Sequence, residues 1–218
     1  MNELIRAATV LIIRDQPRGF ETLLLRRNSK LGFAGGMWVF PGGRVDEADD
    51  HADEEVAARN AAVREAQEEA GLDLDAADLV AFAHWTPPAV SDMKRFSTWF
   101  FLAEAPAGAV VIDNGEIVDH IWITPIEALR RHAVGEVEML PPTFQSLTVL
   151  SEARTVVEAL VAARDRDLPR FATRIAMSDA GAVAMWEGDA GYDEGDAGVP
   201  GPRHRLVMGA LPWRYERG

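Results

Sequence analysis

Three carboxylates crowd one short stretch of this chain. In Arg64-Glu-Ala-Gln-Glu-Glu-Ala-Gly-Leu72, Glu65, Glu68 and Glu69 stand at i, i+3 and i+4 of what reads as a helix, and Gly71 falls where that helix must stop. At roughly 100° per residue the three side chains share an arc of about 100°. Like charges held that closely repel by roughly a few tenths of a kcal/mol per pair, so selection for stability alone would avoid them. A hard divalent cation removes the objection. Mg²⁺ or Mn²⁺ takes oxygen ligands from a few carboxylates together with substrate phosphate. By itself the nonapeptide also reads as a solvated Glu/Arg/Ala helix face.

The elements around it decide between the two. Upstream, Trp38-Val-Phe-Pro-Gly-Gly43 reads as a short strand, Trp38–Phe40, running into a Pro-Gly-Gly turn whose glycines let backbone groups approach a ligand closely. The acidic helix is expected to start near Asp53, with Glu54 and Glu55 suiting its first turn. Val56, Val63, Ala66 and Ala70 lie on the side that should face a sheet, while Ala57, Ala58 and Ala61 leave room for the glycine turn. Ala7–Arg14 and Glu21–Arg26 read as strands joined by a turn carrying Pro17 and Gly19, and Leu79–Trp85, Arg95–Ala103 and Ile117–Ile123 as further strands. Pro125–His132 and Pro142–Ala163 read as helices that open on proline. Strands and helices intermix without regular βαβ repetition, which fits an α/β fold with a mixed sheet and helices on both faces.

Strand, glycine turn, loop, acidic helix and glycine stop together resemble a Nudix hydrolase. Arg64, Glu65, Ala66, Glu68, Glu69, Gly71 and Leu72 fill the second half of that family's signature in register. With five fixed residues at roughly 6–7% usage each, a chance match is about one in a million per start position. The stretch from Gly43 to Arg64 is seven residues longer than the family spacing, and the family's spacer glutamate would fall at Val56, so that role does not carry over. A longer loop, Arg44–Asp53, is expected instead. The resemblance implies a Nudix-type α/β/α sandwich over roughly Leu4–Ala133, a Mg²⁺ or Mn²⁺ cofactor, and hydrolysis of a diphosphate. It implies Glu68 and Glu69 as metal ligands, Glu65 as a ligand or the residue that orients and deprotonates water, Arg64 as the residue that holds the glutamates, and the Gly42 carbonyl as an extra ligand. Glu116 lies six residues before Trp122 and reads either as a further ligand or base, or as an exposed turn residue of Asp113-Asn-Gly-Glu116.

Composition narrows the rest. The 218 residues, 48% apolar with 8% aromatic, suit one globular domain, residues 1–165, with an appendage, residues 166–218. A formal net charge of −13 argues against sequence-independent binding to nucleic acid or an anionic membrane, and leaves a small anionic substrate open because bound metal reverses the local charge. The chain has no cysteine, hence no disulfide, thiolate site or Cys nucleophile. The start, Met-Asn-Glu-Leu-Ile-Arg, does not read as a signal peptide, and the cytoplasm is the expected compartment. The five histidines lack paired spacing, against a zinc site, and no Gly-x-Ser-x-Gly elbow supports a serine nucleophile. Glu187-Gly-Asp-Ala-Gly191 recurs as Glu194-Gly-Asp-Ala-Gly198, which reads as a calcium turn or, more simply, as solvated loops. His204–Tyr215 returns to apolar and aromatic residues and is expected to be ordered as an added strand, a lid or a homodimer contact.

Substrate is read from the segment before the glycine turn. Leu23, Leu24, Arg27, Gly36, Phe40, Pro41, Gly42 and Gly43 resemble the pattern of coenzyme A diphosphatases within the family, while Leu25, Asn28 and Gly32 replace its Thr, its Ser or Ala, and its second Arg. The insertion and Arg95-Phe-Ser-Thr-Trp-Phe-Phe101 resemble the longer, peroxisomal-type members of that branch. The resemblance implies a nucleoside diphosphate linked to another moiety, CoA or acyl-CoA before NADH, ADP-ribose, dinucleoside polyphosphates or oxidised nucleotides. Arg26, Arg27 and Arg95 are candidate substrate-binding residues, and Trp38, Trp85 and Phe96 read either as base-stacking or as core aromatics. A non-catalytic nucleotide-binding module is the alternative of another class, and the intact glutamates speak against it.

Overall fold

The apolar run after Leu4 forms one long strand, β1 (Leu4–Gln16), in the computed structural model, which describes residues 4–17, 19–89 and 95–218. The first three residues of the segment read as lacking a signal peptide lie outside the described residues. Val10, Leu11, Ile12 and Ile13 are all fully buried, because helices cover both faces of β1. Its hairpin partner β2 (Gly19–Arg27) pairs with it only from Ile13↔Thr22 to Gln16↔Gly19. Beyond that point the two strands part. The gap is filled by β3 (Trp38–Val39) on β2 and β4 (Gly42–Arg44) on β1, where Ala8 faces Gly43 and Thr9 faces Gly42. The Pro-Gly-Gly segment is thus partly strand, and Pro41 O accepts from Val10 N of β1.

β6 (Arg95–Glu104) runs parallel to β1, and β5 (Val80–Thr86) antiparallel to β6. β7 (Ile117–Ile123) covers the outer edge of β2, and β8 (Arg170–Ala172) the outer edge of β5 in parallel. The eight strands make one mixed sheet. On one face lies α1 (Glu54–Ala70), whose Ala58, Ala61, Ala62, Ala66 and Ala70 pack on Val10, Ile12, Leu23, Leu25 and Phe101. The other face buries Leu11, Ile13, Leu24 and Leu102 under α2 (Pro125–Ala133), α3 (Pro141–Leu150) and α4 (Val156–Asp165). This is the α/β/α sandwich expected.

Two details differ from the expectation. The buried side of α1 is its alanine stripe; Val56 is exposed, since a methyl-only face lets the helix approach the sheet more closely than a valine would. The single helix expected over Pro142–Ala163 breaks between α3 and α4. Ser151 Oγ donates to Thr148 O (2.7 Å), and a new helix starts at Thr155, whose hydroxyl accepts from Glu158 N (3.1 Å) while the Glu158 carboxylate accepts from Arg154 N (2.8 Å).

After β8 the chain forms a second, antiparallel sheet of β9 (Arg174–Ser178), β10 (Gly181–Met185), β11 (His204–Val207) and β12 (Arg214–Arg217). Trp186 joins it to the first. The ring is fully buried, edge-on to Trp85 and Phe171, and its N–H donates to the Thr173 hydroxyl (3.0 Å). Between β10 and β11 the repeated acidic glycine segments form turns: Asp189 accepts from the amides of Gly191 and His204 and pairs bidentately with Arg205, and Asp196 accepts from Gly198 N. No helix among the described residues is long and apolar enough to cross a membrane.

Candidate active site

The fork between β1 and β2 brings the glycine pair against the last two turns of α1. Asp53 starts that helix by accepting from the amides of Glu55 and Val56, and Gly71, in the left-handed region at φ 66°, ends it. Close approach requires glycine here. A Cβ on Gly43 would collide with the Glu65 carboxylate, and one on Gly42 with Thr9 and the Ala8 carbonyl. Gly42 N donates to Glu69 Oε2 (3.0 Å).

Glu69 is only 6% exposed. Burial pushes its carboxyl up to about 8, and the nearby charges of Glu65 and Glu116 act in the same direction, against the Gly42 amide and Arg27. Burial also raises Glu65, opposed by Arg64. Negative charge is therefore concentrated where it is poorly solvated, a setting that a cation relieves. Among the described residues no three acidic or imidazole groups stand ready-made as a metal cage. Two arginines hold the carboxylates instead. Even so, the all-oxygen set of Glu65, Glu68, Glu69 and the Gly42 carbonyl matches the chemistry of a hard divalent ion.

Arg64 is the hub of one side. Its Nη1 donates to Glu65 Oε1 (2.9 Å) and Glu68 Oε2 (3.0 Å), its Nη2 to Arg44 O (2.9 Å), and its Nε and Nη2 grip Asp49 at 3.1 and 2.8 Å. Asp49 is a residue that sequence reasoning missed. It ends a single 3-10 turn, Glu47–Asp49, inside the insertion and is buried. Burial alone would raise its carboxyl, but the hydrogen bonds from Arg64 and from Asp46 N, with the charge of Arg64, hold it below the usual range. The extra loop thus supplies an acid that holds Arg64. The one available signal was the Asp46-x-x-Asp49 pair, which closes as a capping box.

Arg27 bridges the other side. Nη1 lies 3.5 Å from Glu69 and Nη2 3.2 Å from Glu116 Oε2. Asp113 places Glu116 by accepting from the amides of Gly115, Glu116 and Ile117, and the 62% exposed Glu116 side chain points into solvent beside the cluster. Glu116 is therefore the exposed turn residue of the second reading, joined to Glu69 through Arg27. Of the three arginines proposed to bind substrate, only Arg27 touches the carboxylates. Arg26, on the opposite face of β2, donates to Gly36 O (3.4 Å), and Arg95, level with Leu4, donates to Pro87 O (3.1 Å). Trp85 is a core residue stacked on Phe171 (4.1 Å), whereas Phe96 packs on the half-exposed Phe33.

A family model described as the NUDIX domain matches residues 3–142. An acyl-coenzyme A diphosphatase of Xenopus laevis is 30% identical over 136 residues, 59% of this chain. The chain spans about a third (36%) of that relative's length. A NUDIX hydrolase of Alicyclobacillus acidocaldarius superposes with a TM-score of 0.66 at 23% identity, covering 74% of this chain and 97% of that one. The NUDIX domain of Shewanella oneidensis NrtR, complexed with ADP ribose, gives 0.52 at 16% identity, covering 71% and 88%. Both structural likenesses concern the fold alone. With a matching family model over most of its length, the same fold, and two glutamates of the signature, Glu65 and Glu69, set against the glycine pair, the chain belongs to the NUDIX hydrolase family.

Proposed function

We propose that the chain hydrolyses the diphosphate of a nucleoside diphosphate linked to another moiety, with CoA or acyl-CoA as the first substrate class. The observation that carries this reading is the meeting of Glu65 and Glu69 with Gly42–Gly43, with Glu68 held beside Glu65 by Arg64 and Glu116 tied in through Arg27. A Mg²⁺ or Mn²⁺ ion held by those three glutamates and the Gly42 carbonyl would neutralise phosphate charge and acidify a bound water. Arg64, fixed by Asp49, sets the orientation of Glu65 and Glu68. The Gly42 amide fixes Glu69 through Oε2. Arg27 holds Glu116 Oε2 and leaves Oε1 to accept a proton from the attacking water. In a chain of net charge −13, a small metal-chelated anion is a better partner than nucleic acid or an anionic membrane. A cytoplasmic setting accords with such a substrate.

The preference for CoA rests on the pattern from Leu23 to Gly43 and on the Xenopus relative, whose name states that activity. Arg27, beside Glu69 and Glu116, is the phosphate contact this reading keeps; Arg26 and Arg95 are set aside. The test is a chromatographic screen for hydrolysis products with Mg²⁺ and with Mn²⁺ over CoA, acetyl-CoA, NADH, ADP-ribose, diadenosine polyphosphates and oxidised dNTPs. CoA species should lead and give a 3′-phosphorylated AMP and a phosphopantetheine product. A kcat/KM for any other class exceeding that of every CoA species by about tenfold would refute the substrate assignment and leave the reaction class standing. No turnover of any diphosphate, with the binding of one retained, would favour the non-catalytic module.

A further inference from the structure

On the face of the sheet away from α1, a cavity of about 320 Å³ opens where α3 meets the segment from Arg166 to Phe171 and the second sheet. Its lining carries an unusual share of the molecule's unmet hydrogen bonds. Trp85 Nε1, Gln145 Oε1, Ser146 Oγ, Arg166 Nε and His204 Nε2 are buried without a partner, half of all such side-chain atoms among the described residues. Gln145 and Ser146 are each only 2% exposed. Native interiors seldom leave such atoms unpaired, so a concentration of them calls for an occupant.

The chemistry of the wall is specific. His204 Nδ1 lies 2.7 Å from Glu187 O; a carbonyl only accepts, so Nδ1 carries the proton and the unpaired Nε2 of the neutral ring is an acceptor. Gln145 Oε1 is a second acceptor, while Trp85 and Arg166 offer N–H donors. Arg217 adds a second guanidinium group, and among the described residues no carboxylate comes within 4.0 Å of it or of Arg166, although Asp167 and Glu187 also line the cavity; Arg170 lines it as well but turns its own guanidinium to the other face of the sheet, over the Trp99 ring. In a chain with 35 acidic and 22 basic residues that is a notable lack of partners. Burial, reinforced by the like charge of Arg217, pushes the Arg166 guanidinium down from its ordinary value, with Glu152 opposing. The space is about ten times the share of one water at ~30 Å³.

We propose that this cavity is a second ligand site, distinct from the glutamate cluster, that binds a small organic phosphate: the guanidinium groups and Trp85 N–H take the anionic end, and Gln145 Oε1 and His204 Nε2 accept from hydroxyl or amino groups of the same molecule. None of these residues belongs to the hydrolase site, so the inference stands or falls independently of the proposed reaction.

The test is calorimetric titration of the full chain in excess chelator, which keeps the glutamate cluster free of metal. The probes are ribose 5-phosphate, adenosine 5′-monophosphate and inorganic phosphate. One organic phosphate should bind per chain, at least about tenfold more tightly than inorganic phosphate, because the acceptors add contacts that a bare anion cannot use. Arg217→Gln, at an exposed position, should weaken it by roughly tenfold or more, whereas Arg170→Gln, on the other face of the sheet, should not. Ser146→Ala should alter the affinity, and crystals soaked with the better probe should show it against Gln145 and His204. No binding by either organic phosphate, equal affinity for inorganic phosphate, insensitivity to Arg217→Gln, or a soaked cavity holding only water would each overturn the assignment.

Discussion

Asp49 gives the most direct test of how this site is held. It grips Arg64 through Nε and Nη2, and Arg64 in turn reaches Glu65 and Glu68. Removing one partner of a fully buried ion pair costs about 3–5 kcal/mol. The Arg64 side chain is 24% exposed and keeps three other acceptors, so roughly half of that, about 2 kcal/mol, is expected for Asp49→Ala. For a chain of this size that lowers Tm by about 4–8 °C. A second effect follows from charge. An Arg64 released from Asp49 falls back on Glu65 and Glu68 and neutralises carboxylates that a cation needs, which should weaken apparent Mg²⁺ affinity by about tenfold. Calorimetric melting gives the first quantity, and activity titrated against Mg²⁺ the second. The folded state holds the Asp49 carboxyl below its ordinary value, so its stabilisation is complete above about pH 5 and fades as pH falls. The Tm difference between variant and wild type should therefore shrink in acid. An unchanged Tm together with an unchanged Mg²⁺ requirement would show that Arg64 is held by its other partners, and the positioning argument would fail.

Glu69→Gln should lower turnover by at least about 100-fold with the fold intact, and excess chelator should abolish activity in the wild type; full activity in either case would remove the metal mechanism. Glu116→Gln should lower kcat with little change in KM, while wild-type kinetics would return it to the surface. Asp189→Ala strips Arg205 of a bidentate partner in a pair whose side chains are 0% and 6% exposed, which should cost about 3–5 kcal/mol by denaturant titration; a loss below about 1 kcal/mol would refute it. Burial opposes ionisation of Asp189, but Arg205 and the amides of His204 and Gly191 pull it down to about 2, so this contribution should persist at pH 4 and disappear only as pH falls towards about 2. Gly32→Arg restores the missing arginine of the CoA pattern at a position where a Cβ meets nothing within 4 Å, and should lower KM for CoA about tenfold; no change would detach that loop from substrate.

Much of the site was legible because its signals are local. Asp53 as N-cap, Gly71 as stop and the i, i+3, i+4 carboxylates need only their immediate neighbours to be read, and the helix lies within a residue of the expectation. Ile117–Ile123 is a strand with the expected ends for the same reason. What depends on distant partners was not legible. The parting of β1 from β2 is decided by β3 and β4 competing for their edges. Asp49 stands among five acids between Asp46 and Asp53, and only the folded loop selects the one that reaches Arg64. Hydrophobic scales favour Val56 over the alanines, although the sheet accepts only the smaller side chains. The break at Ser151–Thr155 is hidden because apolar spacing continues across it, and only the Thr155–Glu158 cap and the Val156 amide on Asp15 reveal it.

The alanine stripe of α1 has a consequence of its own. Methyl groups of equal size, repeated along a helix, make a nearly smooth rail: they hold α1 tightly to the sheet but do little to stop it sliding along its axis. Axial alignment must then come from elsewhere. It is supplied by polar contacts that cross from the helix to neighbouring segments: Gly42 N to Glu69, Arg64 to Arg44 O and the Asp49 carboxylate, Asn60 to Asp49 O, and Arg59 to Ala76 O and Leu79 O. Adhesion and indexing are thus carried by different residues, and one of the pins, Glu69, is a carboxylate that would hold the metal. Loosening a pin shifts the carboxylates relative to the glycine pair while the helix stays folded and docked.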